Sequence, residues 1–197
     1  MNKYLVVLLF SFFAIGQENQ IKLAEDFQKQ LNTEFKDSLH SPLLEEDLAH
    51  FDALDFYPIS KKFIVEASFV RTKKEKVFKM KTSTERTPMY KKYGELHFEI
   101  DGKKFQLNVY QNIELSSKPG FKDYLFLPFS DKTNGKETYI GGRYIDMRMQ
   151  KTKTVIINFN NAYNPYCAYN YKYSCPIVPL ENDLTIEIKA GVKKFHD

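Results

Sequence analysis

The chain has 197 residues, of which 43% are apolar and 15% aromatic, and its 29 basic residues outnumber 25 acidic residues to give a net charge of +4. This composition is typical of a globular protein and excludes a disordered or collagen-like chain. The length, the 17 Phe and 13 Tyr residues, and the low counts of 8 Gly and 8 Pro suffice for a hydrophobic core without a metal or disulfide scaffold. We therefore predict one compact domain.

Residues 1–16 have the features of a secretory signal peptide. One cation, Lys3, precedes an uncharged apolar run that ends in the small residues Ala14 and Gly16, at the −3 and −1 positions of a cleavage site. The alternatives are a membrane anchor and a buried N-terminal strand, but about twelve apolar residues are too few for a membrane-spanning helix. No Cys follows the run, which excludes the bacterial lipoprotein route. We predict a periplasmic or secreted mature protein without a transmembrane segment.

Cleavage would leave 28 basic and 25 acidic residues over 181 positions, so the mature chain would be only weakly basic. The cationic side chains are most crowded at residues 71–76 and 91–92, where acidic residues are interleaved. A solvated strand edge explains such lysines equally well. Because no stacking platform or recognition motif accompanies the charge, we predict that the protein does not bind nucleic acid.

Residues 17–60 are predicted to form an N-terminal helical segment with two helices. In the first, residues 19–38, apolar side chains recur at intervals of three and four, as in an amphipathic helix: Ala24, Phe27, Leu31 and Phe35. In the second, Ser41 is the predicted N-cap and Pro42 the first helical residue. Pro58 ends the helical part.

Residues 61–197 are predicted to form a β-domain, because the apolar period changes to two after Ser60. Seven segments read as strands: 63–70, 95–100, 103–110, 124–129, 138–149, 154–159 and 184–190. Asp101 and Gly102 suit a type I′ turn that pairs Phe98 with Phe105. The predicted fold class is mainly β (α+β), an antiparallel β-barrel or sandwich of at least seven strands with two N-terminal helices packed on it.

Residues 158–176 form an unusual segment that contains five tyrosines, five asparagines and both cysteines. Pro165 and Pro176 each lack a backbone donor, and Asn favours turns, so a regular strand is excluded. We predict a long structured loop, which in a compact domain is either functional or held in place by its own side chains.

Cys167 and Cys175 most simply form a disulfide in an exported chain. A nucleophilic thiol is the alternative, but it needs a basic partner. The four histidines are distant in sequence and lie in no recognisable motif: His40, His50, His97 and His196. Two thiols without a second pair of ligands do not complete a zinc site, so we predict no metal and no cofactor.

A second polar cluster spans residues 131–144. Its ordinary interpretation is a hairpin loop with solvated charges. The functional interpretation is that Asp131, Glu137, Tyr139 and Arg143 converge on a polar pocket. Arginine offers a planar fork to a carboxylate. The two glycines before Arg143 are not a phosphate loop, because neither Lys-Ser/Thr nor a helix start follows them.

At these two segments the chain resembles a bacterial family known as domain of unknown function 1684. The resemblance is carried by Phe129–Asp131, Thr133, Gly135–Tyr139, Gly142–Tyr144, Asn158–Asn160, Ala162–Tyr169, Cys175–Pro176, Pro179, Glu181–Asn182 and Leu184. Upstream, Ser41–Leu43, Phe51 and Tyr57–Ile59 also fit, while Asn158 replaces a usual Asp, Val178 a usual Pro and Val192 a usual Glu. The resemblance implies that the two polar segments belong together at one end of the β-structure, and it brings no activity, cofactor or substrate.

Three functions remain open from the sequence. The first is a small-ligand or glycan-binding pocket, because Tyr faces and Asn amides suit polar, ring-shaped ligands. Its candidate binding residues are Asp131, Glu137, Tyr139, Arg143, Asn160, Tyr163, Asn164 and Tyr169. The second is a cell-envelope hydrolase in which Glu137 or Asp131 is the general base and Tyr139 and Arg143 stabilise charge. The third is a structural or interaction protein. We expect a buried Arg143, bonded to Glu137, Asp131 or carbonyls of residues 158–173.

Overall fold

The computed structural model describes the backbone of residues 3–196 and the side chains of residues 17–196. Three helices and seven strands follow in chain order: α1 (Lys3–Lys36), α2 (Glu45–Leu48), β1 (Ile64–Arg71), β2 (Val77–Lys79), β3 (Met89–Ile100), β4 (Lys103–Asn112), α3 (Ile113–Ser116), β5 (Tyr124–Phe129), β6 (Arg143–Arg148) and β7 (Thr154–Asn158). The side chains of the predicted signal segment lie outside the described residues. Among the described residues, none of the helices has the length and apolar content that spanning a membrane requires.

The strands form one antiparallel sheet in the order β6-β5-β4-β3-β1-β7, and β2 pairs with the first part of β3. The sheet curves into a half-barrel. This architecture confirms the predicted fold class, a mainly β (α+β) protein with seven strands.

The β3–β4 hairpin has the predicted register. Ile100 pairs with Lys103, and Phe98 pairs with Phe105. The two turn residues have positive φ angles, 51° at Asp101 and 74° at Gly102, as a type I′ turn requires. Because side chains alternate along a strand, the register places one apolar row on the inside of the half-barrel. The inside core includes Leu96, Phe98, Leu107, Leu127 and Ile157.

The apolar stripe of α1 packs against other parts of the chain, as the period of an amphipathic helix predicts. Ala24, Leu31 and Phe35 are buried. Leu31 and Phe35 belong to a separate apolar cluster with Leu43, Leu54, Tyr169 and Val192. The helix therefore packs against residues 158–176, here called the tyrosine-rich loop, and against residues 184–196, here called the C-terminal segment.

The predicted second helix is wrong in its start and length. It forms a single turn, Glu45–Leu48, and its N-cap is Leu44. The Ser41 hydroxyl instead donates to the Phe35 carbonyl at 2.7 Å and accepts from Leu43 N. Ser41 therefore binds a carbonyl in the last turn of α1 and is not the N-cap of α2.

Two predicted strand segments are also wrong in extent. β6 begins only at Arg143, because the preceding Gly142 has a φ of 85° and residues 131–139 are folded into local turns. Residues 184–190 show the predicted alternation of burial but form no ladder. Leu184 N donates to the Ser130 carbonyl, whereas Ile188 N donates to the Asp131 carboxylate at 3.1 Å. The Asp131 side chain therefore accepts the hydrogen bond that a neighbouring strand would accept in a ladder.

Candidate functional site

Strands β5 and β6 present two different faces to the rest of the molecule. On β6, Ile145 belongs to the core inside the half-barrel, whereas the adjacent Tyr144 belongs to an aromatic cluster on the outside. Asp146 pairs across the sheet with Phe126 of β5, which belongs to the same outer cluster. The period of two therefore directs Tyr144 and Asp146 away from the core.

A cavity of about 450 Å³ lies between this outer face, α1 and the tyrosine-rich loop. Six tyrosines line it: Tyr90, Tyr124, Tyr144, Tyr163, Tyr166 and Tyr173. The polar lining also includes Gln30, Glu34, Asp146 and Ser174. We call this cavity the tyrosine pocket. The three walls come from parts of the chain that are far from one another in sequence.

The aromatic side chains of one side of the pocket are in mutual contact. The Tyr144 ring meets Phe126 with centroids 4.7 Å apart and Tyr163 with centroids 5.9 Å apart, both edge to face. Phe27 of α1 lies 6.4 Å from the Tyr163 ring, and Tyr90 lies 5.8 Å from the Phe126 ring. Edge-to-face pairs of this kind fix the orientation of the rings. The pocket is therefore held open by packed aromatic side chains.

Asp146 fixes two of the tyrosines from within the pocket. The hydroxyls of Tyr124 and Tyr163 donate to the same carboxylate oxygen, Oδ1, at 2.7 and 2.6 Å. Burial, followed by the negative charge of Asp146, raises the pKa of both tyrosines well above the ordinary value. Both phenols are therefore neutral hydrogen-bond donors at physiological pH.

Backbone contacts position the loop against β6. Tyr144 and Tyr163 exchange two hydrogen bonds, N to O, of 2.9 and 3.0 Å. The Tyr144 hydroxyl also donates to the Pro176 carbonyl at the far end of the loop. Both ends of the loop are thus attached to one residue of β6.

Arg143 points to the other side of the sheet and does not line the tyrosine pocket. Its side chain is 0% exposed, and Nη2 donates to Asp131 Oδ2 at 2.8 Å. Burial lowers the pKa of Arg143, and Asp131 opposes this effect. Further bonds run to the carbonyls of Ile188, Ala190 and Val192. Burial and pairing with Asp131 agree with expectation, but the carbonyls belong to the C-terminal segment and not to residues 158–173.

Asp131 has its acceptor capacity filled inside the protein. Its Oδ1 accepts from the backbone N and hydroxyl of Thr133, at 2.9 and 2.7 Å, and from Ile188 N. Its Oδ2 accepts from Arg143. The Asp131 side chain also has no exposed surface, so a substrate cannot reach either oxygen, and its predicted role as a general base has no geometric support.

Glu137 and Tyr139 do not meet Arg143. Glu137 forms an exposed ion pair with Lys189 at 2.9 Å, and the hydrogen bond from Lys189 lowers the pKa of Glu137. The Tyr139 hydroxyl lies 3.9 Å from Cys167 Sγ, and burial raises the pKa of Tyr139 to about 12. The expected bond from Glu137 to Arg143 is wrong, because residues 131–139 form turns and not a strand with one common face.

Three further candidate residues hold segments of the fold together. Asn160 is fully buried and bonds both N and O of Ser60. Asn164 Nδ2 donates to the Lys193 carbonyl at 2.9 Å. Tyr169 is buried edge to face against Phe35 of α1, with centroids 4.8 Å apart. Of the eight predicted binding residues, only Tyr163 lines the tyrosine pocket.

Cys167 and Cys175 are free thiols in the structure, so the predicted disulfide is not formed there. The two residues are nevertheless adjacent, since Cys167 N donates to Cys175 Sγ at 3.2 Å. A hydrogen bond from Cys175 lowers the pKa of Cys167 to about 6, and the same interaction, with burial, raises the pKa of Cys175. Disulfide formation on oxidation remains a prediction, which mass measurement with and without reductant would check.

The described residues contain no group of three or more His, Cys, Asp or Glu side chains that could hold a metal ion. The sequence reasoning missed Tyr144 and Asp146 of β6 and Tyr124 of β5. A usable signal was present, because β6 alternates apolar Ile145 and Met147 with Tyr144 and Asp146. That alternation assigns the last two to a second face.

The fold and site define a half-barrel β-protein with an aromatic pocket on its outer face. The chain belongs to the family described as "Protein of unknown function (DUF1684)", which matches residues 49–193. This result confirms the family resemblance of the two polar segments.

A similar solved structure is the solution NMR structure of the uncharacterized protein from gene locus rrnAC0354 of Haloarcula marismortui. The two chains are 28% identical, the TM-score is 0.70, and the match covers 89% of this chain and 95% of that chain. No curated protein matches the chain. Since neither family nor neighbour has an assigned activity, function has to be argued from the site.

Proposed function

We propose that the protein binds a small polar molecule or glycan unit in the tyrosine pocket. The observation that carries this proposal is the cavity of about 450 Å³ with six tyrosines in its lining. Ligand sites in proteins typically have volumes of about 300–1,000 Å³ and combine apolar walls with a few fixed polar groups. The tyrosine pocket has both properties.

The chemistry of the lining supports a ligand with both a ring or methyl surface and polar groups. Tyrosine faces stack on apolar surfaces, and their hydroxyls exchange hydrogen bonds. Asp146 and the hydroxyls of Tyr124 and Tyr163 are already organised into one network. A site of this kind loses little side-chain entropy when it binds, because its rings are ordered beforehand.

The hydrolase alternative has less support. Its residues would have to converge around one substrate, but Arg143 and Asp131 are both 0% exposed at their side chains, whereas Glu137 lies at the surface with Lys189. The structural alternative accounts well for Arg143. It gives no reason for the open, tyrosine-lined cavity on the opposite face.

Export to the periplasm or the cell exterior is part of the proposal. It is supported by the charge, apolar run and small residues of residues 1–16. N-terminal sequencing of the protein from fractionated cells would test it. A mature N-terminus at Gln17 is expected, and an intact Met1 in the cytoplasm would contradict it.

Binding can be tested with a pair of tryptophan variants. Gln30 and Lys29 are both exposed on α1, but only Gln30 lines the pocket. The indole of Gln30→Trp would fill the entrance, whereas that of Lys29→Trp would not. The chain has no natural Trp, so each variant also carries a single fluorescent reporter.

The measurement is a calorimetric titration with a panel of amines, sugars, amino sugars and amino acids. We expect at least one probe to bind, and Gln30→Trp to weaken it by about tenfold or more while Lys29→Trp leaves it unchanged. A panel without any binder, or a binder that Gln30→Trp does not affect, would contradict the proposed site.

A further inference from the structure

The tyrosine pocket contains negative charge and no positive charge of its own. Asp146 and Glu34 are both among its lining residues, and no Lys, Arg or His of the described chain is. Asp146 accepts two tyrosine hydroxyls at Oδ1, and neither of its oxygens takes part in an ion pair within residues 17–196. Asp146 is solvent-exposed, so a ligand can reach its carboxylate, which no cation of residues 17–196 neutralises.

Three cations lie beside residues of the pocket lining but are held by groups other than Asp146. Arg86 is exposed and held by Ser174, with Nε 3.2 Å from Oγ and Nη2 2.9 Å from the carbonyl oxygen. Lys172 Nζ lies 5.1 Å from the centroid of the Tyr173 ring. Arg148, next on the outer face of β6, forms an ion pair with Asp123 at 2.8 Å. None of these three donates to Asp146.

The two carboxylates act on tyrosines of the pocket lining. Burial raises the pKa of Tyr90, a hydrogen bond with Asn112 and the positive charge of Arg86 oppose this effect, and Asp146 adds a smaller increase. The pKa of Tyr166 is raised by burial, and then by the charges of Glu34 and Asp146. Tyr166 therefore experiences both carboxylates, whereas at Tyr90 the charge of Arg86 offsets that of Asp146. The negative charge around Tyr166 disfavours an anionic ligand there.

The aromatic faces favour the same sign of charge. A cation within about 6 Å of a tyrosine centroid is attracted by the negative face of the ring, and groups of such rings recognise substituted ammonium ions. The hydroxyls of Tyr124 and Tyr163 donate to Asp146, so their oxygen atoms gain electron density from a charged acceptor. Both features complement a positively charged ligand.

We infer that the ligand of the tyrosine pocket is an organic cation, a protonated amine or a substituted ammonium compound, whose charge lies between the tyrosine rings and Asp146. This inference rests on the proposed function and narrows its ligand class. A neutral sugar could exchange hydrogen bonds with the tyrosine hydroxyls, but it would leave the Asp146 carboxylate without a cation. An amine of the same shape supplies the missing charge, and its N–H groups match the second oxygen of Asp146.

The test compares ligands that share a shape and differ in charge. Choline and its neutral carbon isostere 3,3-dimethylbutan-1-ol form one pair, and glucosamine and glucose form another. In calorimetric titrations at pH 7, we expect the cation of at least one pair to bind about tenfold or more tightly than its neutral partner.

Two variants locate the source of this preference. Asp146→Asn removes the charge and keeps an oxygen that accepts the two tyrosine hydroxyls, so we expect it to lower cation affinity by about tenfold and to leave neutral ligands unaffected. Glu25→Gln is the control, because Glu25 is exposed on α1 and does not line the pocket. It changes the net charge equally and should leave affinity unchanged.

The outcomes separate the two proposals. Equal affinity for the cation and its isostere, with no effect of Asp146→Asn, would overturn the cation inference. In that case, binding that Gln30→Trp weakens would still support the tyrosine pocket as a ligand site. An equal loss in Asp146→Asn and Glu25→Gln would also overturn it, since the effect would then be one of net charge. Absence of binding by both members of both pairs and by every other probe would overturn the proposed function itself.

Discussion

Two charged residues of β6, Arg143 and Asp146, have opposite environments. Arg143 faces inward with no exposed surface, and its guanidinium is bonded to Asp131 and to carbonyls of the C-terminal segment. Asp146, three residues later, faces the tyrosine pocket and binds only two phenol hydroxyls. The first charge is balanced within the fold and the second is not.

This difference shows that the density of polar residues does not by itself identify a site. The segment with Asp131 and Arg143 is rich in charge, but these two side chains are buried and form their hydrogen bonds within the protein. On the outer face of β5 and β6, Asp146 has no ion-pair partner among residues 17–196 and lines a cavity. A functional site is better indicated by incomplete bonding beside a cavity than by polar composition.

The largest effect is expected from breaking the inner network. Arg143→Met removes a buried ion-pair partner and leaves the Asp131 carboxylate without its cation. We expect the free energy of unfolding to fall by about 3–5 kcal/mol in urea denaturation, because an uncompensated buried charge is costly. The double variant with Asp131→Asn should recover part of the loss. A loss below about 1 kcal/mol would show that the network is not structural.

A smaller effect is expected at Asn182, a buried amide between β4 and β5. Its Nδ2 donates to the carbonyls of Asn108 and Pro128, and its Oδ1 accepts from Asn108 N at 2.8 Å. It thus bridges β4 and β5 where their ladder is reduced to one residue pair. Asn182→Ala should cost about 2–3 kcal/mol in the same assay, because buried backbone groups lose partners. Asp183→Ala, beside it and exposed, is the control.

On the pocket side, we expect effects on stability to be smaller. Tyr163→Phe keeps the ring and removes only the hydroxyl that donates to Asp146 at 2.6 Å. The free energy of unfolding should fall by about 1 kcal/mol, as for an ordinary hydrogen bond. Ligand affinity should change more than stability does. A loss of stability as large as that of Arg143→Met would show that the two faces of β6 do not differ in their contribution to folding.

At Cys167 the expected effect is a pH-dependent reaction rate. Its pKa is lowered to about 6 from an ordinary value of 9.0. In reduced protein, the rate of alkylation by iodoacetamide should therefore rise through a midpoint near pH 6 and then level off, since the thiolate is the nucleophile. Stabilisation by the thiolate is complete above pH 9.0 and is lost as the pH falls toward 6.

Cys175→Ser and Cys175→Ala provide the comparison for this prediction. Serine keeps a donor to the Cys167 thiolate, whereas alanine removes it, so only the alanine variant should shift the midpoint strongly upward. A midpoint near 9.0 in the unmodified protein would show that the bond from Cys175 to Cys167 does not form in solution.

Local patterns in the sequence were sufficient for the hairpin and for α1. Asp-Gly favours positive φ angles and sets the pairing of Phe98 with Phe105, and the spacing of Ala24, Leu31 and Phe35 defines a helical stripe. Each pattern depends on neighbours within a few residues, so tertiary contacts did not change it. The buried, paired Arg143 also followed from sequence, because an arginine in such a strand keeps its charge and needs a partner.

Only the tertiary structure decided which polar residues meet. Residues 184–190 alternate like a strand, but the Asp131 side chain takes the Ile188 amide and prevents a ladder. Glu137 and Arg143 share a short stretch, yet a turn separates them. The tyrosine pocket needs α1, β3, β5, β6 and the loop together, so no single segment of the sequence encodes it. Its volume and unbalanced Asp146 result from packing between distant elements, which periodicity within one element does not report.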